Sequence, residues 1–208
     1  MPRRSRYLRK RPSCDPLPTA MYAAEGENTE REYIDALAGN YKLGKRFKRV
    51  NSASDPESVV KTLVIKKKAL SRQGDIKDYW IAVFDTEFTE SRKEGIEKAR
   101  ILAKKNGILC IESTPSFEYW LLLHFACIDR PFVSQQEIEK ALVQYLPNYA
   151  KHKGALAEEM NDLLACVDQA CENAEWILSN GMYGNKTEMP KLVQIVKKME
   201  AVRKDQSI

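Results

Sequence analysis

The sequence is poor in the residues that bind zinc. It has two histidines, His124 and His152, and five cysteines without any C-x-x-C pair. Structural zinc sites take four cysteine or histidine ligands at short spacings, so the chain is not expected to hold one. An odd number of scattered cysteines is typical of reduced, mostly buried thiols in a cytoplasmic protein.

Long apolar runs are also missing. No segment approaches the roughly 20 consecutive apolar residues that cross a bilayer, so no membrane contact is expected. The N-terminus is rich in arginine, but no apolar segment follows it, which does not fit a secretory signal. The 208 residues, 43% hydrophobic and 30% charged, are typical of a globular domain of ordinary size.

Acidic residues are absent from residues 1–13, which carry six basic ones. The whole chain has a net charge of +5, so the basic excess lies in this arm and the rest of the chain is close to neutral. A basic arm can hold a nucleic-acid backbone, or it can be a solvated tail. We predict a basic, disordered arm over residues 1–14 and leave both roles open.

The body alternates strand and helix patterns up to about residue 130. Strand patterns occur at 17–26, 46–50, 78–85 and 108–113, and helix patterns at 28–41, 54–74, 90–107 and 115–128. This alternation favours a parallel sheet with helices on both faces.

Only helical patterns follow the sheet region. They lie at 134–146, 155–180 and 187–203. The predicted fold is therefore α/β: a mainly parallel sheet flanked by helices over residues 15–130, and a helical C-terminal part over 131–208 that packs on it.

Acidic residues follow the apolar strands at the point where each strand ends. The stretch "YWIAVFDTE" runs from a strand into Asp85 and Glu87, and "AMYAAEGENTE" has the same layout with Glu25 and Glu30. The "STPSFE" turn after the fourth strand carries Glu118. Because the carboxyl ends of parallel strands meet at one edge of a sheet, we expect these acidic groups to converge.

Converging carboxylates predict a metal site. Carboxylates a few ångströms apart repel one another and stay ionised only with a cation between them. Oxygen-only ligands favour Mg²⁺ or Mn²⁺, which suit phosphodiester hydrolysis. Taken singly, each residue also fits an ordinary turn, a helix surface or a first helical turn; the joint pattern is what favours the metal.

The single histidine of "FEYWLLLHF" is not predicted to join this site. His124 lies six residues after Glu118, about 120° around a helix from it, so the two do not share a face. A buried, hydrogen-bonded core histidine is the expectation. Tyr119 and Trp120 are expected to be core or interface residues.

Three segments in this order resemble the RloB family of bacterial abortive-infection proteins: "EGENTEREYIDAL", "DYWIAVFDTE" and "STPSFEYWLLLHF". "LPNYAKHK" and "NKTEMPKLV" are similar to that family's downstream segments, so the resemblance spans about residues 17–195. It implies a Toprim-like catalytic domain, related to overcoming-lysogenization-defect nucleases and to topoisomerase–primase domains. It also implies a role in phage defence and a AAA-type ATPase partner encoded by a neighbouring gene.

The resemblance also implies roles for particular residues. Toprim domains use a glutamate after the first strand, which Glu25 matches, and a D-x-D pair after the third. Here that pair reads D-x-E, with Asp85 and Glu87. The metal ligands implied are therefore Glu25, Asp85 and Glu87, holding Mg²⁺ or Mn²⁺.

Further catalytic positions follow from the same resemblance. Glu30 fits a second acidic residue of the first motif, and Glu118 fits a later acidic motif. Lys151, in "NYAKHK", is the candidate for a lysine that contacts the scissile phosphate, and Lys153 is the next choice.

Three functions stay open from the sequence. The first is a Mg²⁺-dependent nuclease that acts on DNA or on RNA such as tRNA. The second, favoured by the D-x-E pair and the nearly neutral body, is a catalytically inactive Toprim-like module that binds nucleic acid or the ATPase. The third is nucleotidyl transfer, because Toprim sites also occur in primases.

Overall fold

A computed structural model of the chain describes residues 16–52, 54–86, 90–147, 149 and 156–205. The strands are β1 (Ala20–Ala24), β2 (Phe47–Arg49), β3 (Tyr79–Asp85), β4 (Leu109–Thr114) and β5 (Lys186–Thr187). The helices are α1 (Thr29–Asn40), α2 (Pro56–Arg72), α3 (Glu90–Asn106), α4 (Phe117–Leu122), α5 (Gln135–Leu142), α6 (Met160–Ala165), α7 (Val167–Asn180) and α8 (Met189–Asp205). Across these described ranges, no helix combines the length and apolarity that a bilayer crossing requires.

The five strands form one sheet in the order β2-β1-β3-β4-β5. The first four are parallel to their neighbours; for example, Ala23 pairs with Ala82 and Asp85 pairs with Ser113. The short β5 is antiparallel to β4. The predicted fold class, a mainly parallel sheet flanked by helices with a helical C-terminal extension, is confirmed.

Alternation along the strands divides the core into two layers. Tyr22 and Ile81 point to one face, where they pack with residues of α1, α4, α7 and α8. Met21 and Trp80 point to the other face, against α2 and α3. This is the pattern of strands buried on both sides, and it explains why their sequences are apolar throughout. The larger cluster draws on residues from both sides of position 130.

The chain reverses its winding direction between β1 and β3. From β1 it passes through α1 to β2 on one side, and it returns through α2 to β3 on the other side of β1. Helices α1 and α2 consequently cover opposite faces of the sheet. Such a switch point opens a crevice beyond the carboxyl ends of the two strands, which is the usual ligand site of α/β sheets.

The strand β5 was not predicted, since the sequence shows only helical patterns beyond residue 131. Thr187, expected to begin a helix, instead pairs with Ser113 of β4, and their hydroxyl groups are hydrogen-bonded at 2.9 Å. The helix begins at Met189. A strand of two residues is too short to show an alternating pattern, so the helical signal next to it dominated.

Two predicted helix starts differ from the structure. Thr29 and Glu32 have the spacing that predicts a capping box, and this prediction is wrong: Asn28 is the N-cap, no side-chain cap hydrogen bond forms among the described residues, and Thr29 is the buried first residue of the helix. The helix pattern at 115–128 predicts Pro115 in the first turn, but Pro115 precedes α4, whose N-cap is Ser116.

Two predicted helices are also shorter than expected. The helix predicted over 115–128 is regular only in α4, because the following backbone bonds tighten to a three-residue spacing, as from His124 N–H to the Leu121 carbonyl. The helix predicted over 155–180 is two helices, α6 and α7, that meet at Cys166. The Cys166 thiol at this break is exposed, as is Cys127 beyond α4, so the expectation of mostly buried thiols is wrong for these two.

The prediction of a core histidine is confirmed. His124 is 3% exposed, and its Nδ1 lies 3.0 Å from the Trp120 carbonyl oxygen. Because a carbonyl can only accept, Nδ1 carries the proton, and Nε2 accepts from the Tyr33 hydroxyl at 2.9 Å. Tyr119 and Trp120 are fully buried, as expected.

Candidate functional site

The side chain of Glu25 connects the carboxyl ends of β1 and β3. Its backbone N–H donates to the Val83 carbonyl at 2.9 Å, which continues the strand pairing one residue beyond β1. Its Oε2 accepts from the backbone N–H of Asp85 at 3.3 Å. Two residues that the sequence places 60 positions apart therefore meet at the switch point of the sheet.

A cavity of about 220 Å³ opens at this point. Carboxylates from three strand ends line it: Glu25 and Glu30 after β1, Asp85 at the end of β3, and Glu118 after β4. The structure thus brings together these predicted site residues. Glu87, Lys151 and Lys153 lie outside the described residues.

A glycine gives Glu30 its place against the loop between β1 and α1. A Cβ atom built on Gly26 would lie 1.7 Å from Oε2 of Glu30, so any side chain at this position would collide with that carboxylate. The glycine of "EGENTE" therefore leaves the space that the carboxylate of Glu30, four positions later, occupies.

Arg92 supplies positive charge inside the acidic cavity. Its Nη2 lies 2.5 Å from Oε1 of Glu25, and both side chains are largely removed from solvent, at 26% and 12% exposure. The guanidinium offsets part of the repulsion among the carboxylates. Sequence reasoning missed Arg92 because the polar face of α3 carries many charges. The sequence feature that could have indicated Arg92 is its position in the first turn of the helix after β3.

Three neutral donors among the described residues contact Glu118. It is 2% exposed and accepts from the Ser116 hydroxyl at 2.6 Å, the Tyr149 hydroxyl at 2.8 Å and the Gln135 side-chain amide at 3.1 Å. Burial, and next the charge of Glu118, raise the pKa of the Tyr149 phenol, so the phenol keeps the proton that it donates. These donors fix the orientation of the carboxylate. Ser116 was visible in the quoted turn, whereas Gln135 and Tyr149 carry no signal in the sequence.

The donor chemistry of the cavity fits a hard divalent cation. Its acidic side chains offer only carboxylate oxygens, which suit Mg²⁺ or Mn²⁺ better than zinc. In the part of the chain that the structure describes, no group of three or more His, Cys, Asp or Glu side chains is arranged to hold a metal ion. Glu25 and Asp85 are two of the three predicted ligands, and Glu87 would be the third.

Comparison with known proteins identifies the family. The sequence model of the RloB-like proteins matches residues 21–196, which is most of the chain. This chain belongs to the RloB-like family. The matched range contains every predicted site residue of this RloB-like protein, from Glu25 to Lys153. The match to the family model confirms the predicted family resemblance. Among curated proteins, none matches the chain significantly.

Proposed function

We propose that this RloB-like protein is a Mg²⁺- or Mn²⁺-dependent nuclease with a Toprim-type site. The observation that supports it is the convergence of Glu25, Glu30, Asp85 and Glu118 in one cavity at the switch point of a parallel sheet. Carboxylates gathered in this way are costly unless a cation balances them. The wider role proposed is that of a cytoplasmic effector in phage defence with a AAA-type ATPase partner, and it rests on the family resemblance.

The acidic residues of the cavity have different proposed roles in hydrolysis. Glu25, Asp85 and Glu87 would hold the metal, which when bound polarises the phosphate and makes water a better nucleophile. Glu30 lines the same cavity and supplies a carboxylate that can accept the proton of the attacking water. Glu118, fixed by its three donors, keeps the turn after β4 in position beside the site.

Two basic side chains are proposed to contact the phosphate of the substrate. Arg92 already lies beside Glu25 and can donate to the oxygens of a substrate phosphate, because a guanidinium has five donors in a planar fork. Lys151 is proposed to contact the scissile phosphate, so Lys151→Ala should reduce cleavage and leave metal binding nearly unchanged. Metal titration and cleavage measured on the same variant would separate the two effects.

The test is cleavage of labelled tRNA and plasmid DNA with Mg²⁺ or Mn²⁺, with and without the ATPase. We expect Glu25→Gln and Asp85→Asn to lose at least roughly a hundredfold in rate while their thermal unfolding remains cooperative. Glu175→Gln removes an exposed carboxylate on α7 and should cleave like the wild type. Full activity in the Asp85→Asn protein would show that the site lies elsewhere.

One observation favours a second candidate function, a non-catalytic module that binds nucleic acid or the ATPase. The Arg92 guanidinium already pairs with Glu25, so the protein itself supplies a cation to the cavity. The D-x-E pair points the same way. Absence of metal-dependent stabilisation and of cleavage, together with retained binding of nucleic acid or of the ATPase, would support this candidate over the nuclease.

A further inference from the structure

The loop between β1 and α1 separates the acidic cavity from a second cavity. The second cavity has a volume of about 300 Å³ and lies at the carboxyl ends of β1 and β2. Both cavities are lined by Gly26, Glu27 and Asn28 of the loop. The second one is polar and basic where the first is acidic: it contains Arg31 of α1 and Arg49 of β2.

Arg49 has unused donors inside this cavity. It is half-buried, and its Nη2 donates to the side-chain oxygen of Asn51 at 2.7 Å. No carboxylate of the described residues forms an ion pair with it. A guanidinium offers five N–H donors, so one bond to a neutral amide leaves most of its capacity for an anion.

Arg31 is only weakly neutralised. Its Nε lies 3.7 Å from Asp35, with both side chains about half exposed, and such exposed pairs contribute little. Asp35 also accepts from the Tyr22 hydroxyl at 2.5 Å. Burial and this hydrogen bond raise the pKa of Tyr22, and the charges of Arg49 and Arg31 oppose that rise.

The lining of the cavity indicates what kind of anion it fits. Arginine and asparagine side chains, here joined by Asn51, are usual donors to backbone phosphates of nucleic acids, whereas the Ser52 hydroxyl already donates to the Ala24 carbonyl at 2.9 Å. Within the described residues, no aromatic ring lines the cavity on which a base could stack. The acidic groups beside the arginines are Asp35 and the exposed Glu27.

The two cavities are arranged along the edge of the sheet. The basic one lies at the ends of β2 and β1 and the acidic one at the ends of β1 and β3, with β1 between β2 and β3. Adjacent strands are about 4.8 Å apart, so β2 and β3 are separated by roughly 10 Å. The two cavities are therefore adjacent along this edge, where one nucleic-acid strand can reach both.

We propose that the Arg31–Arg49 cavity binds a backbone phosphate of the nucleic-acid substrate, close along the same strand to the phosphate at the acidic cavity. The proposal rests on the proposed function, since it takes the acidic cavity as the site of cleavage. It assigns to Arg49 the role of a substrate-binding residue that holds the strand across the β1–α1 loop.

Binding is measured without cleavage, by fluorescence anisotropy of a labelled single-stranded oligonucleotide, as RNA and as DNA, in EDTA. Arg49→Gln should weaken binding roughly fivefold to tenfold and reduce the slope of log affinity against log salt by about 0.7. Lys48→Gln is the matched control, because Lys48 is the exposed neighbour on β2 and does not line the cavity. It should change the affinity less than twofold.

A second variant does not depend on removing an arginine. Glu27→Gln takes an exposed negative charge from the lining, so it should leave the fold intact and tighten binding about twofold to threefold. Inorganic phosphate and a mononucleotide serve as competitors. We expect both to displace the oligonucleotide only at far higher concentration, because each supplies one phosphate rather than a strand.

The outcomes separate this proposal from the nuclease proposal. Equal affinity of Arg49→Gln and Lys48→Gln, no binding of either oligonucleotide by the wild type, or a mononucleotide that binds as tightly as the oligonucleotide would each overturn the strand-binding site. Weakened binding by Arg49→Gln in EDTA would support the site even if no preparation cleaves nucleic acid, and in that case only the nuclease proposal fails.

Discussion

At the scale of single residues, the ion pair between Arg92 and Glu25 is what a divalent cation would have to displace. The Arg92→Gln protein should be less stable than the wild type without metal, by about 1 kcal/mol, because Glu25 then lies beside Asp85 without the guanidinium. Mn²⁺ should raise its melting temperature more than that of the wild type, since no guanidinium competes for the carboxylate.

Arg100→Gln is the control for this prediction. Arg100 lies on the same helix and makes a bidentate pair with Glu112, at 2.8 and 2.6 Å, outside the acidic cavity. Its loss should lower the melting temperature equally with and without Mn²⁺. Equal metal-dependent shifts in the wild type and in Arg92→Gln would contradict the competition.

Another single residue, His124, makes the stability dependent on pH. Burial lowers its pKa to about 4, below the 6.5 of an exposed histidine, so the folded state binds fewer protons than the unfolded state between these values. Its contribution to stability is full above pH 6.5 and is lost as the pH falls toward 4, by up to about 3 kcal/mol.

The measurement is the free energy of unfolding in urea from pH 7 to pH 4.5. His124→Gln removes the titrating group, so the wild type should lose stability more steeply than the variant, by up to about 1.4 kcal/mol per pH unit. Parallel curves for the two proteins would show that the histidine does not titrate in this way.

At the scale of elements, the loop between β1 and α1 leaves space for the Glu30 carboxylate because Gly26 has no side chain. Gly26→Ala should keep the fold, because the clashing atoms belong to the flexible end of Glu30, but it should push that carboxylate out of the cavity. We expect its cleavage rate to fall to the level of Glu30→Gln.

Gly39→Ala is the matched change, in the helix α1 that follows this loop. Nothing lies within 4 Å of the Cβ atom that it adds, and alanine favours a helix over glycine by up to about 1 kcal/mol. This variant should be slightly more stable and fully active. If Gly26→Ala cleaves like Gly39→Ala, the position of Glu30 does not matter for the reaction.

The elements also show how far a sequence can be interpreted. The order of the first four strands and their helices follows from apolar periodicity, and the meeting of Glu25 and Asp85 follows from parallel topology alone. Helix ends were less accurate, as at Asn28, because several polar residues compete for the cap. Arg92 and Tyr149 were missed because the rotation of a helix and the path of a distant segment decide which side chain reaches a carboxylate.

At the scale of the whole molecule, the residues before and after position 130 share one core. Leu142, Leu163 and Leu192 belong to the same buried cluster as Tyr22 and Ile81. A fragment of residues 1–130 would expose that cluster, so we expect it to lack a cooperative thermal transition, whereas the full chain unfolds in a single step. Circular dichroism and tryptophan fluorescence should give coincident curves for the full chain. A cooperatively folded fragment would establish two separable domains.

Among the strands of the described residues, the two outermost in the sheet are very short. β2 has three residues and β5 has two, and they carry Lys48, Arg49 and Lys186. An exposed strand edge is a template on which another copy can add its own strand, and short, positively charged edges discourage that addition. Copies of this chain are therefore poorly suited to joining their sheets into a continuous fibre. An assembly through helical faces would instead let side chains, rather than backbone groups, determine which partner fits.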